Sequence, residues 1–323
     1  MAYEHILYEV ADGRARITLN RPKRRNALCP PLLDELEQAL WDADDDKRVH
    51  CVILRGAGPA FCAGYDLSGF GQAPRSGARS EATRGMASGE ASGVPGGPKD
   101  DGVPRRGMRT IDDDIWSLER NNRRIRALWE IHKPAIAQVH GHCLAGGTDL
   151  ALACDIVIAA DDANIGFPPA RNLGALPNNL WVYHCGPQWS KRLLLTGDTV
   201  SGADAAKIGL VMKAVPGDWL EREVEGLADR MALIDPDLLA ANKRIVNLSM
   251  ELMGAQVLQR LAAENDARGH LAPATREYHK AVKEKGLAGA FRERDARFGD
   301  GRARVEGPER RDADGRLLPA EEE

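Results

Sequence analysis

The sequence predicts an α/β fold, a buried and mostly parallel sheet wrapped by helices and followed by a helical layer. Three observations carry that expectation. Apolar strand-like runs alternate with segments of helical period through the N-terminal part of the chain. Several of those runs, CVILRG, PAIAQV and DIVIAA, are continuously apolar, which suits strands covered on both faces. After about residue 187 the pattern turns almost wholly helical.

Taken in order, ILYEV and RARITLN flank the turn ADG and read as a β-hairpin. Pro30 and Pro31 open PLLDELEQALWDADDD, where Leu32, Leu33, Leu36 and Leu40 fall on one helical face, and HCVILRG follows as a strand. A second unit runs from a helix over residues 115–131 through the strand PAIAQVHG, a glycine turn, the short helix TDLALAC and the strand DIVIAA. Beyond it, SKRLLLTG, SGADAAKIG, DWLEREVEGLADRMALI, PDLLAANKRIVNLSMELMG, AQVLQRLAAENDARGH and PATREYHKAVKEKG read as helices, with LVMKAV as the one strand. This organisation divides the chain into a core over residues 1–200, a helical C-terminal subdomain over 201–298 and a polar tail over 299–323, expected to fray. Residues 71–107 hold nine Gly, four Pro, four Ser and only three apolar residues larger than Ala, too few to offset their ordering entropy, so a mobile loop inserted into the core is expected there.

The 323 residues are enough for one large domain or two modest ones. With 44 Lys and Arg against 48 Asp and Glu, the chain has no field that would draw it as a whole onto nucleic acid or an anionic membrane. The most apolar stretch, residues 135–160, is interrupted by Gln138, His140, His142, Asp149 and Asp155, which argues against a membrane span. Six scattered Cys without a C-x-x-C pair, and an N-terminus without a basic and then apolar leader, point to a reduced, cytoplasmic protein.

Two segments place a tight glycine turn directly after an apolar strand: CVILRGAGPAFCAGYDL and PAIAQVHGHCLAGGTDLALACDIVIAA. In the second, Ala145, Gly146 and Gly147 leave the backbone open to a ligand just before a helix expected to begin near Thr148. The first amides of a helix have no partner within it and lie at the positive end of its dipole, ready for an oxygen that gains negative charge. Taken alone, such a glycine-rich helix start is as often a packing device.

The stretch IAQVHGHCLAGGTDLALACDI, residues 136–156, is similar throughout to the signature of the enoyl-CoA hydratase/isomerase (crotonase) superfamily. The resemblance extends to LNRPKRRNAL, GAGPAFCAGYDL, SGADAAKIGLVMKAV and AFRER, in order, and covers nearly the whole chain apart from residues 71–107 and the tail. It implies the crotonase ββα spiral and a homotrimer or a hexamer built as a dimer of trimers. It also implies an acyl-CoA thioester substrate and no cofactor or metal beyond the CoA of that substrate.

For the site, the resemblance implies that the thioester carbonyl oxygen lies between two backbone N–H groups, those of Tyr65 in A-G-x-D and Gly146 in the glycine triplet. Preorganised donors of this kind stabilise an enolate, and losing one typically costs about 3 to 4 kcal/mol. Because the donors are main chain, the Tyr65 phenol is expected to line the acyl pocket. Arg25 and Ala27 would meet the pyrophosphate and adenine end of CoA, Ala63 and Asp66 the adenine, and Phe291 and Arg294 would approach CoA from near the C-terminus. Without the resemblance, Lys23, Arg24 and Arg25 read as an ordinary solvated basic turn.

The family's hydratases use two Glu carboxylates to add water across an enoyl thioester. At the first position this sequence has Asp149, which suits a general base or proton shuttle; at the second it has Pro169. Arg171, Asn172, Asn178, Asn179 and His184 lie near the gap, but none is a carboxylate. His140 and His142 would share one face of a strand yet lack a convincing third ligand, so a structural or pocket-lining role is expected for both. Cys62 and Cys143 read as buried hydrophobes and Asp155 as a turn or capping residue.

The expected activity is therefore that of an acyl-CoA-processing enzyme that stabilises a thioester enolate. Enoyl-CoA hydratase, a hydro-lyase, is the leading form. An enoyl- or dienoyl-CoA isomerase working with Asp149 alone is the alternative, and a catalytically reduced acyl-CoA binding protein is a third reading.

Overall fold

The computed structural model describes residues 3–67 and 110–319. The insertion expected over residues 71–107 lies outside them. The predicted hairpin forms as β1 (Ile6–Ala11) and β2 (Arg14–Leu19), turning through Asp12 and Gly13 at positive φ. The proline-led helix is α1 (Pro30–Asp45), whose Leu32, Leu33, Leu36 and Leu40 are fully buried against the sheet. Each such leucine contributes about 1.5–3 kcal/mol relative to exposure.

The strands β3 (Cys51–Gly56), β4 (Ala135–Val139), β6 (Ile156–Ala160) and β9 (Lys213–Val215) complete a six-stranded sheet in the order β1-β2-β3-β4-β6-β9. Only β1–β2 is antiparallel; the other pairs are parallel, as the continuously apolar runs predict. Because β9 pairs with β6, the stretch SGADAAKIGLVMKAV belongs to the core sheet and its helix α5 (Gly202–Lys207), while the helical layer proper begins with α6 (Leu220–Ala232). It continues as α7 (Pro236–Leu252), α8 (Ala255–Gly269) and α9 (Pro273–Asp295).

Four features depart from the sequence reading. A second sheet of three strands, β5 (His142–Leu144), β7 (Asn164–Gly166) and β8 (Thr199–Ser201), stands beside the first. Strands of three residues are too short to show a hydrophobic period. Helix α2 (Ile111–Glu130) begins four residues before the expected start, because Thr110 and Asp113 form a capping box that makes the acidic run DDD its first turn. Helix α4 (Trp181–Leu194) likewise starts before SKRLLL and is broken at Gly186, where φ is 69°. The tail is tied down rather than frayed over its first part: Arg302 bridges to Thr199, Ala303 is buried, and Glu306 and Glu309 pair with Lys207 and Arg192.

Candidate active site

The two glycine turns meet. Cys62 bridges to Cys143 and Ala60 to Gly141, so the A-G-Y-D turn after β3 lies against β5 and the start of α3 (Gly146–Ala153). The approach is close enough to demand glycine. A Cβ on Gly147 would stand 2.3 Å from the Cys62 carbonyl oxygen, and one on Gly64, at φ 99°, would stand 2.7 Å from the Ala145 methyl. Helix α3 begins at Gly146 itself, two residues before the expected start, because Ala145 caps it at φ 51° and ψ −121°. That backbone conformation costs an alanine about 1–3 kcal/mol and turns the following amide out of the strand direction.

The same packing leaves two amides over. Tyr65 bridges to Leu28, but the bonds run from Leu28 N–H to the Gly64 carbonyl and from Asp66 N–H to the Leu28 carbonyl, each 2.8 Å. Among the described residues neither the Tyr65 N–H nor the Gly146 N–H donates a hydrogen bond. The two residues adjoin: a Cβ on Gly146 would stand 2.8 Å from the edge of the Tyr65 ring. These are the two positions that the resemblance implies as donors, and in the fold the two residues are neighbours.

Asp149 lies in the first turn of α3 and is 1% exposed. Its Oδ2 accepts from the Tyr65 hydroxyl at 3.3 Å, while its Oδ1 is buried without a partner. Burial holds the Asp149 carboxyl well above the usual carboxylate range; the Tyr65 hydrogen bond opposes this and the charge of Asp266 adds to it. Burial, reinforced by Asp149, also pushes the Tyr65 phenol well above its ordinary value, so it stays protonated and donates.

The expected CoA-contacting residues fall on the PKRRNAL loop, the A-G-Y-D turn and α9. Arg25 is exposed in the left-handed region at φ 49°, and its carbonyl accepts from the Ala63 N–H at 2.9 Å, which joins the PKRRNAL loop to the A-G-Y-D turn. The Ala27 carbonyl accepts from Arg21, whose guanidinium also pairs with Asp66 at 2.7 Å. Asp66 is thus engaged within the chain. Phe291 packs with Tyr278, ring centroids 6.0 Å apart, in a small apolar cluster that includes Leu67 and Leu173. Arg294 lies 4.8 Å over the Phe291 ring and pairs with Asp295 at 2.7 Å.

The segment from Phe167 to Leu180 contains no carboxylate, and Pro169 sits in a 3-10 turn (Pro168–Arg171). Arg171, one of the groups considered for the gap, is locked elsewhere: it pairs with Asp198 and Asp295 at 2.8 Å each, donates to the Thr196 carbonyl and stacks 4.0 Å over Phe298. His184 meets the Leu152 carbonyl at 3.3 Å, and burial lowers its pKa. Asn178 is buried, and Asn172 and Asn179 each keep a buried side-chain oxygen without a partner.

His140 and His142 do not share a strand. Gly141, at φ 55°, ends the run between β4 and β5, so His140 meets the Gly58 carbonyl at 2.8 Å while His142 meets Asn164 at 3.4 Å. Cys62 and Cys143 are buried, and burial pushes the Cys62 thiol up to about 12 and that of Cys143 well above its ordinary value. Asp155 ties the sheet to α7, accepting from the Ala135 N–H at 2.7 Å and pairing with Lys243 at 2.9 Å.

Two further buried groups have no counterpart in the sequence reading. Asn26, fully buried at φ 55°, donates to the carbonyls of Ala57, Ala60 and Phe61 and accepts from the Arg21 N–H, pinning the loop before the A-G-Y-D turn. Asp266 of α8 is 4% exposed, lies 3.4 Å from His270 Nε2 and is close enough for its charge to act on both Asp149 and Tyr65. His270 Nδ1 lies 2.7 Å from Asp114 of α2.

The fold thus sets two unbonded amides, those of Tyr65 and Gly146, on the two turns that also carry the Tyr65–Asp149 bond and a buried carboxylate. The family model for enoyl-CoA hydratase/isomerase matches residues 9–86 and 106–299. EchA13 of Mycobacterium tuberculosis, which is named as an enoyl-CoA hydratase, is 36% identical over 259 residues, 78% of this chain and 76% of that protein. The crystal structure of an enoyl-CoA hydratase from Mycobacterium smegmatis matches with a TM-score of 0.77 and 33% identity, covering 91% of this chain and 94% of the other. That of an enoyl-CoA hydratase/isomerase from Xanthobacter autotrophicus Py2 matches with a TM-score of 0.77 and 34% identity, covering 92% and 99%. The chain belongs to the enoyl-CoA hydratase/isomerase (crotonase) family of acyl-CoA enzymes, and its structure has the crotonase fold.

Proposed function

We propose that the protein hydrates 2-enoyl-CoA thioesters, or runs the reverse dehydration. The observation that carries this reading is the pair of unbonded amides, Tyr65 and Gly146, beside Asp149 with its unpartnered buried Oδ1. The amides receive the thioester oxygen as it gains charge, which stabilises the enolate most strongly in a site that excludes water. Asp149 moves a proton on or off the substrate side, and burial raises its pKa above the usual carboxylate range. The exposed, basic PKRRNAL loop suits the phosphates of CoA, and no cofactor beyond the substrate's own CoA is required. A homotrimer or hexamer is supported by the exposed apolar residues of α7, among them Leu238, Ile245, Val246 and Leu252. Among the described residues no helix is long and apolar enough to cross a membrane, and six unpaired cysteines suit the cytoplasm.

A second reading, double-bond isomerisation, is favoured by the lack of a carboxylate between Phe167 and Leu180, because one acid can remove and return a proton without activating water. The purified protein is mixed with short and medium 2-enoyl-CoA esters, and the absorbance of the conjugated thioester and the product mass are followed. A product heavier by one water, lost in Asp149→Asn, supports hydration. A shifted double bond at unchanged mass supports isomerisation, and binding without turnover points to an acyl-CoA binding protein.

A further inference from the structure

Helix α2 meets the later turns of α8 through Leu118, Ala263 and Ala267, and His270 Nδ1 lies 2.7 Å from Asp114. Against the first turns of α8 it leaves a cavity of about 600 Å³ instead, a size that suits a small organic ligand. The geometry points to this cleft as a binding site for an amphipathic carboxylate, an acid on an apolar body with a hydroxyl at its far end. The site is separate from the amide pair and stands whether or not the chain hydrates enoyl thioesters.

The cleft is braced on both walls. Asn122 of α2 donates to the Pro177 carbonyl at 2.6 Å, and Gln259 of α8 accepts from the Asn179 N–H at 2.7 Å and donates to the Asn179 carbonyl at 3.2 Å. Both helices are thus fastened to one segment, so the space between them is formed before any ligand arrives. Asn178, Leu180 and Ala153 of α3 are buried and make its floor, whereas Trp116, Arg120, Arg123 and Arg260 are exposed and make its rim. Along α2 the lining runs from Trp116 to Trp129, about 20 Å at 1.5 Å per residue.

Charge and hydrogen bonding set the ligand's class. Among the described residues no carboxylate pairs with Arg120, Arg123 or Arg260, although Glu119 and Glu251 line the same cleft; Arg126 is engaged by Glu130 at 2.8 Å. Four arginines therefore outnumber two glutamates there, in a chain whose net charge is −4, and their planar forks suit a carboxylate. At the floor, Asn178 is 5% exposed, and its side-chain amide makes no hydrogen bond among the described residues. Buried amides normally find partners, and a hydroxyl can both donate to and accept from this one. Between rim and floor, Trp129, Leu180 and Ala153 offer apolar surface to the body of the ligand. A solvated basic helix face would account for the arginines but not for an unbonded amide beneath them.

Neither Tyr65 nor Asp149 lines the cleft, and Asp149 lies a full helical turn before Ala153 on α3. An acid bound here leaves the two amides open.

Binding is read by isothermal titration calorimetry on the full chain, with ω-hydroxydecanoate as the probe beside decanoate and the matching uncharged diol. The hydroxy acid should bind most tightly, with the diol and the plain acid each about tenfold weaker. Arg123→Ala and Arg260→Ala should each weaken the hydroxy acid about tenfold and leave the diol unchanged, whereas Asn178→Ala should erase the difference between the two acids. Both arginines are exposed, so their variants test the site even where Asn178→Ala fails to fold. Saturating butyryl-CoA should leave the acid bound. No binding at millimolar acid overturns the proposal, as does binding undiminished in both arginine variants. Displacement by butyryl-CoA would put the acid in the acyl site and overturns it too. If a second copy of the chain covers the cleft, the acid does not bind and the double arginine variant changes the sedimenting size, which overturns it equally. Butyryl-CoA that itself fails to bind counts against the hydratase reading alone.

Discussion

The Tyr65 hydroxyl donates to Asp149 Oδ2 across 3.3 Å, joining the turn after β3 to the first turn of α3. One residue therefore offers two groups: its amide is unbonded among the described residues while its phenol donates to the carboxylate. The phenol was expected only to line the pocket. Its bond to Asp149 partly offsets the burial that raises the acid's pKa.

Tyr65→Phe keeps the amide and removes this bond. The Asp149 carboxyl should rise further, so the acid limb of kcat/KM moves to higher pH. Activity at neutral pH should fall about tenfold, the equivalent of one hydrogen bond to a charged group. Recovery of most of that activity at alkaline pH is the signature to measure, and an unmoved pH profile would refute the coupling.

Gly64→Ala tests the backbone. The new methyl would stand 2.7 Å from the Ala145 Cβ and 3.0 Å from the Leu144 carbonyl, at a φ of 99° that alanine resists. A shift that relieves the clash separates the Tyr65 and Gly146 amides, so kcat should fall by about 10²- to 10³-fold with a smaller change in the binding of a saturated acyl-CoA. Equal losses in both would place the damage in the fold rather than in the amide pair.

Asn26→Ala removes a fully buried amide that serves three carbonyls and one N–H. Buried groups left without partners cost about 1–3 kcal/mol each, so urea unfolding should show a loss of at least about 2 kcal/mol. Asn26→Asp tests the same site differently: it keeps the acceptor for the Arg21 N–H but sets a carboxyl against three carbonyls, and it should be no less damaging.

Stability should depend on pH through Asp266 and His270. Both have folded pKa values raised above their ordinary ones, Asp266 to about 7. The folded state then binds more protons than the unfolded chain, and the stability these groups contribute is lost as pH rises through their folded values. Unfolding free energy measured by urea should decline between about pH 4 and pH 7, the window set by the ordinary and folded values of Asp266, and Asp266→Asn should flatten that decline. An unchanged slope in the variant would assign the pH dependence to other groups.

How much of this was legible follows from how local each signal is. The hairpin, α1 and the parallel strands are read from periods and turn residues that neighbours along the chain supply, and they lie where expected. The early start of α2 was missed because Asp112, Asp113 and Asp114 look like loop until Thr110 is seen to cap them. The three-residue strands β5, β7 and β8 carry no period of their own and exist because the turns beside them pair. Asp66 and Arg294, expected to approach CoA, are held by Arg21 and Asp295, partners 45 positions away and next door respectively. Residue type alone does not distinguish a free charge from an engaged one.

By itself the sequence determined the alternation of strands and helices, the two glycine turns and the family signature, because these depend on backbone conformations that residue types dictate locally. Only the tertiary structure decided which amides stay unbonded, that Tyr65 reaches Asp149 and that Asp266 is buried beside His270. Those properties depend on groups far apart in the chain being brought into one water-poor space, where burial and neighbouring charge, rather than residue type, set hydrogen bonding and pKa.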